Sequence, residues 1–363
     1  MAERKREDGE NNEKVHPNVY LNQYVAGHVI NYLHKSNYQI EKGSKIGNAA
    51  LRFLQRTGIR GYKTGGLPDP DSLKGFKLVP QVADMQRKVV NGAPSVRGLA
   101  KGDSDAVRLS AYAGQCLMAS SYEPFFQSLY ELDRGQLQYG FGKDVYRIPV
   151  DNSNGAGVMM HPASDKIGNY LVERYKDDSK FAFIQFGSGN GDTVTTTLGK
   201  FRDANLNLPI TAVSDLDVKT RTTAEKHFAK NKLMNSFIWE QIDMGDPTDI
   251  AKMKRHVEGL NVFIHVGFIF HESRQLAKRT MSAITKVFPN ATLGISEFWD
   301  EDLIHPENPE WFKFIHVTQE LFKRDEFLEF MGGYGYKPLH EISHQVIEAE
   351  KPTIINSTLI LSR

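Results

Sequence analysis

Apolar and polar positions divide the chain into two unlike stretches. From Ser164 onward, short runs rich in Val, Ile and Phe alternate with segments whose apolar residues recur every three or four positions. The runs Phe181–Phe186, Leu208–Val213, Ser236–Ile242, Asn261–Val266 and Ala291–Ser296 predict strands. Between them, 193–204, 217–230, 248–258 and 273–287 predict helices. Such alternation demands crossover connections, hence a doubly wound parallel sheet with helices on both faces, an α/β fold. The ending breaks the rule. A helix near Arg324–Met331 leads to two strand-like segments, Tyr336–Ile342 and Thr353–Leu361, which predict an antiparallel hairpin joined to the sheet.

The first part of the chain reads differently. Val25, Val29, Ile30 and Leu33 fall on one helical face, and Ala49, Leu51, Phe53 and Leu54 belong to a second amphipathic piece. Helices are also expected at 82–90 and, capped by Ser104 or Asp105, on to about Leu132. The last has more apolar positions than one surface stripe needs, which fits burial between layers or sharing with a second subunit. Residues 134–163, rich in Gly, Asn and aromatics, read as a long loop, either a linker or a lid. Ser164 then caps a helix carrying Ile167, Tyr170, Leu171 and Tyr175. The organisation expected is a disordered tail over 1–16, a helical domain over 17–133, the loop over 134–163, and the sheet domain over 164–363.

Charge narrows the partners. Forty-five basic residues against 44 acidic ones leave no field to hold a nucleic-acid backbone. No apolar run approaches the roughly 20 residues of a membrane span. The opening residues have mixed charge and no apolar stretch, unlike a signal peptide. The single cysteine, Cys116, reads as core filler and points to a cytoplasmic setting.

Chemistry gathers at the strand ends, where doubly wound sheets hold ligands. After the first strand comes Gly187-Ser188-Gly189-Asn190-Gly191, a turn suited to unusual backbone angles and to the close approach of a ligand. Free amides at the following helix terminus would add donors for a polar or anionic group. The second strand ends at Asp215 and the third at Asp243-Met244. One such aspartate is most simply a helix cap. At consecutive strand ends, the two acids can instead accept from a ribose diol and from an exocyclic amine, with Met244 beside the base, so a nucleoside-containing cofactor follows.

This arrangement resembles the Rossmann-like S-adenosylmethionine-dependent methyltransferases over 164–363. The resemblance implies S-adenosyl-L-methionine as cofactor, held by Gln185, Gly187, Ser188, Gly189, Gly191, Asp215, Asp243, Met244, Gly267 and Tyr170. Gln185 departs from the acid common at its position. A narrower likeness is to the plant O-methyltransferase-like enzymes that act on small molecules. Val266-Gly267-Phe-Ile-Phe-His271-Glu272 looks like their segment bearing a catalytic histidine, and Ile295-Ser296-Glu297 like the strand whose glutamate orients it. Ser273 stands where their tryptophan is usual. The likeness implies a homodimer built on a winged-helix-like N-terminal domain, and O-, N- or activated C-methylation of a small-molecule acceptor.

A histidine suits the base role because its ordinary pKa lies near working pH. Glu297 would fix its tautomer, while His265, inside an apolar strand, reads as a core residue. No second histidine follows His271-Glu272 at the spacing of a metal site, so none is expected. Two other uses of the same cradle remain: aminobutyryl transfer or cyclisation with methylthioadenosine release, and cofactor binding without catalysis. Nicotinamide chemistry is disfavoured by the Gly-x-Gly-x-Gly spacing.

Overall fold

The computed structural model describes residues 17–36, 44–57, 129–134, 150–216, 218–234, 237–267, 270, 274–303, 310, 313–314, 320–345 and 355–363. Helices α1 (Pro17–Ser36), α2 (Lys45–Arg56) and α3 (Leu129–Asp133) form the first part. Val25, Ala26, Val29, Ile30 and Leu33 of α1 are buried, as the helical spacing predicts. Ser44 caps α2 by accepting from the Gly47 amide at 2.9 Å. Tyr32 donates to Asp133 at 2.6 Å and Lys35 to Glu131 at 2.7 Å, tying α1 to α3. The helices expected over 82–128 and any winged-helix element there lie outside the described residues.

Helix α4 (Val150–Tyr175) corrects the last part of the expected loop, since fourteen of its residues precede the predicted cap Ser164, while 135–149 lie outside the described residues. Asn, Gly and Ser lower helix propensity there without excluding a helix. Ile167 and Leu171 are fully buried among side chains of the helix that follows the first strand. At Gly168 a Cβ would stand 2.6 Å from Lys200 Cγ and 2.7 Å from the Thr197 carbonyl, so glycine is what lets these two helices cross. Lys200 also pairs with Asp165 at 2.5 Å.

Strand and helix then alternate as predicted: β1 (Phe181–Phe186), α5 (Asp192–Asp203), β2 (Ile210–Asp215), α6 (Lys219–Lys230), β3 (Phe237–Gln241), α7 (Pro247–Lys254), β4 (Asn261–Gly267), α8 (Arg274–Val287) and β5 (Thr292–Glu297). A short α9 (Asp300–Leu303) and α10 (Arg324–Gly332) precede β6 (Lys337–Gln345) and β7 (Ile355–Ser362). The strands form one seven-stranded sheet in the order β3-β2-β1-β4-β5-β7-β6. Neighbours from β3 to β5 pair in parallel, while β7 runs antiparallel to both β5 and β6.

Every residue of β1 is buried, because alternate side chains serve two cores. Phe181 and Phe183 face Ile167, Leu171, Val194 and Leu198, from α4 and α5. Ala182, Ile184 and Phe186 belong with Met253 of α7, Ile284 of α8 and Phe327 of α10. Residue 310 and residues 313–314 reach the first part of the chain: the Phe53 and Phe314 rings lie 5.5 Å apart, and Arg56 is 3.6 Å from Glu310.

Gly294 of β5 gives a test of this packing. A Cβ there would stand 2.6 Å from Phe263 Cζ, inside a closed core. Gly294→Ala is expected to lower stability by about 1–3 kcal/mol, read as a shift in the urea midpoint at unchanged slope.

Candidate functional site

Strand order reverses between β1 and β4, which makes their carboxyl ends the crevice of the sheet. The chain leaves β1 through Gly187, Gly189 and Gly191 with φ of 65°, 53° and 79°, angles that a Cβ would strain. The turn is fastened to β2. Ser188 N donates to the Ser214 carbonyl at 2.8 Å, and Gly189 N donates to Asp215 Oδ2 at 2.9 Å. Gly191 N reaches the Ser188 carbonyl at 2.9 Å, and Asp192 N reaches Asn190 Oδ1 at 3.1 Å.

Four amides from Ser188 to Asp192 are thus spent inside the protein, because a turn this tight holds its shape by bonding to itself and to β2. What the turn offers instead is bare backbone with a carboxylate beside it.

Three buried side-chain atoms around the turn have no partner among the described residues: Gln185 Oε1, Ser188 Oγ and Ser214 Oγ. Their residues are 3%, 4% and 0% exposed. Such groups are costly unless something pairs with them. Gln185 is fixed by its Nε2, which donates to Thr193 Oγ1 at 2.8 Å. Sequence reading passed over Thr193 and Ser214. It also missed Leu216 and Val218, which are 37% and 55% exposed just beyond Asp215. Apolar residues directly after a strand-end acid are the signal that could have found the last two.

At the end of β3, Asp243 Oδ1 accepts from Gly245 N at 2.8 Å, and its own amide donates to Asp249 Oδ2 at 2.9 Å. Met244 packs partly against the α7–α8 core. Burial raises the Asp249 pKa, but the Asp243 amide and Lys252 outweigh it and hold that carboxyl below its ordinary value.

Gly267 closes β4, and a Cβ there would meet only His265 at 3.6 Å, an ordinary contact. His265 is buried, its Nε2 lies 2.8 Å from Ser296 Oγ, and Ser296 Oγ lies 2.6 Å from Thr358 Oγ1. That is a core histidine bonded within the sheet. His271 and Glu272 lie outside the described residues. Glu297, 1% exposed, accepts from Phe270 N at 2.9 Å through Oε2 and from Phe298 N at 3.0 Å through Oε1. Its carboxylate fastens the chain leaving β4 to the chain leaving β5.

Tyr170 is partly buried against the core that includes Phe181 and Phe183 of β1 and Val194 of α5, and its ring stacks on His340 of β6 at 5.5 Å and 8°. Among the described residues no group of His, Cys, Asp and Glu is placed to hold a metal, and no helix is long and apolar enough to cross a membrane.

No protein-family model matches the chain, and no curated protein matches it. Solved structures do. The CMeT domain of the citrinin polyketide synthase is similar with a TM-score of 0.51 at 12% identity, over 97% of this chain and 90% of that one. The trans-methyltransferase CalH, in complex with SAH, is similar with a TM-score of 0.51 at 11% identity, over 95% of this chain and 90% of that one. At such identities the likeness establishes a shared fold.

The chain leaving β5 carries a titrating group. Burial first, then Glu301 and Glu341, push the Asp302 carboxyl from the ordinary 3.8 to about 6, against the pull of Arg324. The folded state thus holds this proton more tightly than the unfolded chain, and stability falls as pH rises from about 4 to about 6. Asp302→Asn removes that loss. The variant is expected to match the wild type near pH 4 and to exceed it at pH 7.5 by about 1–2 kcal/mol, discounted for partial exposure, in denaturant titrations.

Proposed function

We propose that this chain is an S-adenosylmethionine-dependent methyltransferase acting on a small-molecule acceptor. One observation carries the reading. At the reversal point of a sheet ordered β3-β2-β1-β4-β5-β7-β6, a left-handed glycine turn is bonded to the carboxylate ending the next strand. The fold is shared with proteins whose names are those of methyltransferases, one of them in complex with SAH.

When bound, S-adenosylmethionine supplies a methyl group already activated by a sulfonium charge. The chain's own residues bind, orient and exclude water. Asp215, at the end of β2, would accept from the ribose hydroxyls. Asp243 accepts from the base amine, and the exposed Leu216 and Met244 give the base apolar surface. Gln185 Oε1 and Ser188 Oγ would face the polar end of the molecule, an amide replacing the acid common there. His271 removes the acceptor's proton where it has one. Glu297 acts through the backbone, since it holds the Phe270 amide, one residue before His271. The helical first part forms a homodimer, and the enzyme works in the cytoplasm.

Calorimetry with S-adenosylhomocysteine tests the cradle: the wild type binds, and Asp215→Ala binds more weakly by about 1–3 kcal/mol. Absence of heat with the wild type refutes the function. His271→Ala is expected to lower turnover by about 10²–10⁴-fold with cofactor affinity nearly unchanged, and full activity would remove the base. S-adenosylhomocysteine is the expected product; methylthioadenosine in its place would assign a different use of the sulfonium.

A further inference from the structure

The turn after β3 contains a glycine that its backbone does not require. Gly245 is not among the residues with positive φ. What sets it apart is the place a Cβ would take, which lies 2.7, 2.8 and 2.9 Å from Nη2, Cζ and Nε of Arg279. The guanidinium of an α8 residue is laid on bare backbone at the carboxyl end of β3. It points at Asp243, with Nη2 3.8 Å from Oδ2, too far for a hydrogen bond. Both side chains are about half exposed, 54% for Arg279 and 48% for Asp243, so the pair is loosely held and easily re-aimed.

The acid beneath is rigid by contrast. The Asp243 amide bonds to Asp249, its carboxylate takes the Gly245 amide, and its carbonyl accepts from Asp246 N at 3.0 Å. A fixed anionic acceptor thus stands beside a movable cationic fork. Adenine presents the matching edge, an amino donor flanked by ring-nitrogen acceptors. A base with a carbonyl in place of the amine would set oxygen against the Asp243 carboxylate.

We propose that Arg279 is a base-binding residue that donates to a ring nitrogen beside the adenine amine while Asp243 accepts from the amine itself. This rests on the function proposed above. In the free protein the guanidinium rests over Gly245, and with ligand it turns a few ångströms to the base edge. Gly245 is small so that the fork can lie close enough to make that turn. Arginine suits the task because its planar donors are preorganised, where a lysine would offer a single point charge.

Calorimetric titration with S-adenosylhomocysteine and its 1-deaza and 7-deaza analogues tests the assignment by a double-mutant cycle between protein and ligand. Arg279→Ala is expected to weaken the parent ligand about tenfold, the scale of one charge-assisted bond. In the wild type one of the two deaza analogues binds correspondingly worse, and in Arg279→Ala that difference disappears. Gly245→Ala, whose methyl displaces the guanidinium, reproduces the Arg279→Ala pattern and adds nothing on top of it. Equal losses for all three ligands, or none, in Arg279→Ala overturn the proposal. Wild-type protein that binds no S-adenosylhomocysteine overturns the cofactor reading and this inference with it. Normal wild-type binding with an indifferent Arg279 overturns the inference alone.

Discussion

The hydrogen bond from Gly189 N to Asp215 Oδ2 holds the site together. It joins two adjacent parallel strands just beyond their last shared ladder pair, Phe186 with Ser214. With the neighbouring Ser188–Ser214 bond it converts a flexible glycine run into a defined rim. The carboxylate that ends β2 thus takes part in building the turn that follows β1. Most of the turn's own amides are consumed in this construction. Around the turn, the buried side-chain oxygens of Gln185, Ser188 and Ser214 stay without a partner among the described residues.

The reversed end of the sheet has a supporting part. Strand β7 slots between β5 and β6, so Thr358 meets Ser296, which meets His265, in a buried polar line from β7 to β4. Above it, the chain leaving β5 is pinned several times. Trp299 Nε1 donates to Ser357 Oγ at 2.7 Å, and Asp300 N to the Phe322 carbonyl at 2.9 Å. Arg274 grips Glu326 through both nitrogens of its fork and lies 4.6 Å above the Phe322 ring. Arg324 does the same with Glu341, holding that carboxyl below its ordinary pKa. Two bidentate arginines therefore fasten α8, α10 and β6 around the strand ends.

Most of this architecture was legible because the sheet domain obeys local rules. Apolar runs such as Phe181–Phe186 are buried on both faces, and the helices between them show their period plainly. The terminal hairpin was legible from two strand patterns with too little chain between them for a crossover. Residues 150–163 were not, because Asn, Ser and Gly favour loops by themselves. Among site residues, Asp215 could be read from its place at a strand end. The buried partners Thr193 and Ser214 could not, since a hydroxyl in an apolar stretch carries no signal until its neighbours are known. The stacking of Tyr170 on His340 is likewise invisible in helical spacing, because it joins residues 170 positions apart.

The contacts of α2 with residues 310 and 314 have a mechanical consequence. Those two positions hang in the span between Glu297 and Arg324, both ends of which are anchored. Phe314 is buried, so a substitution in α2 at Phe53 also reaches a ring that belongs, by chain position, to the segment after β5.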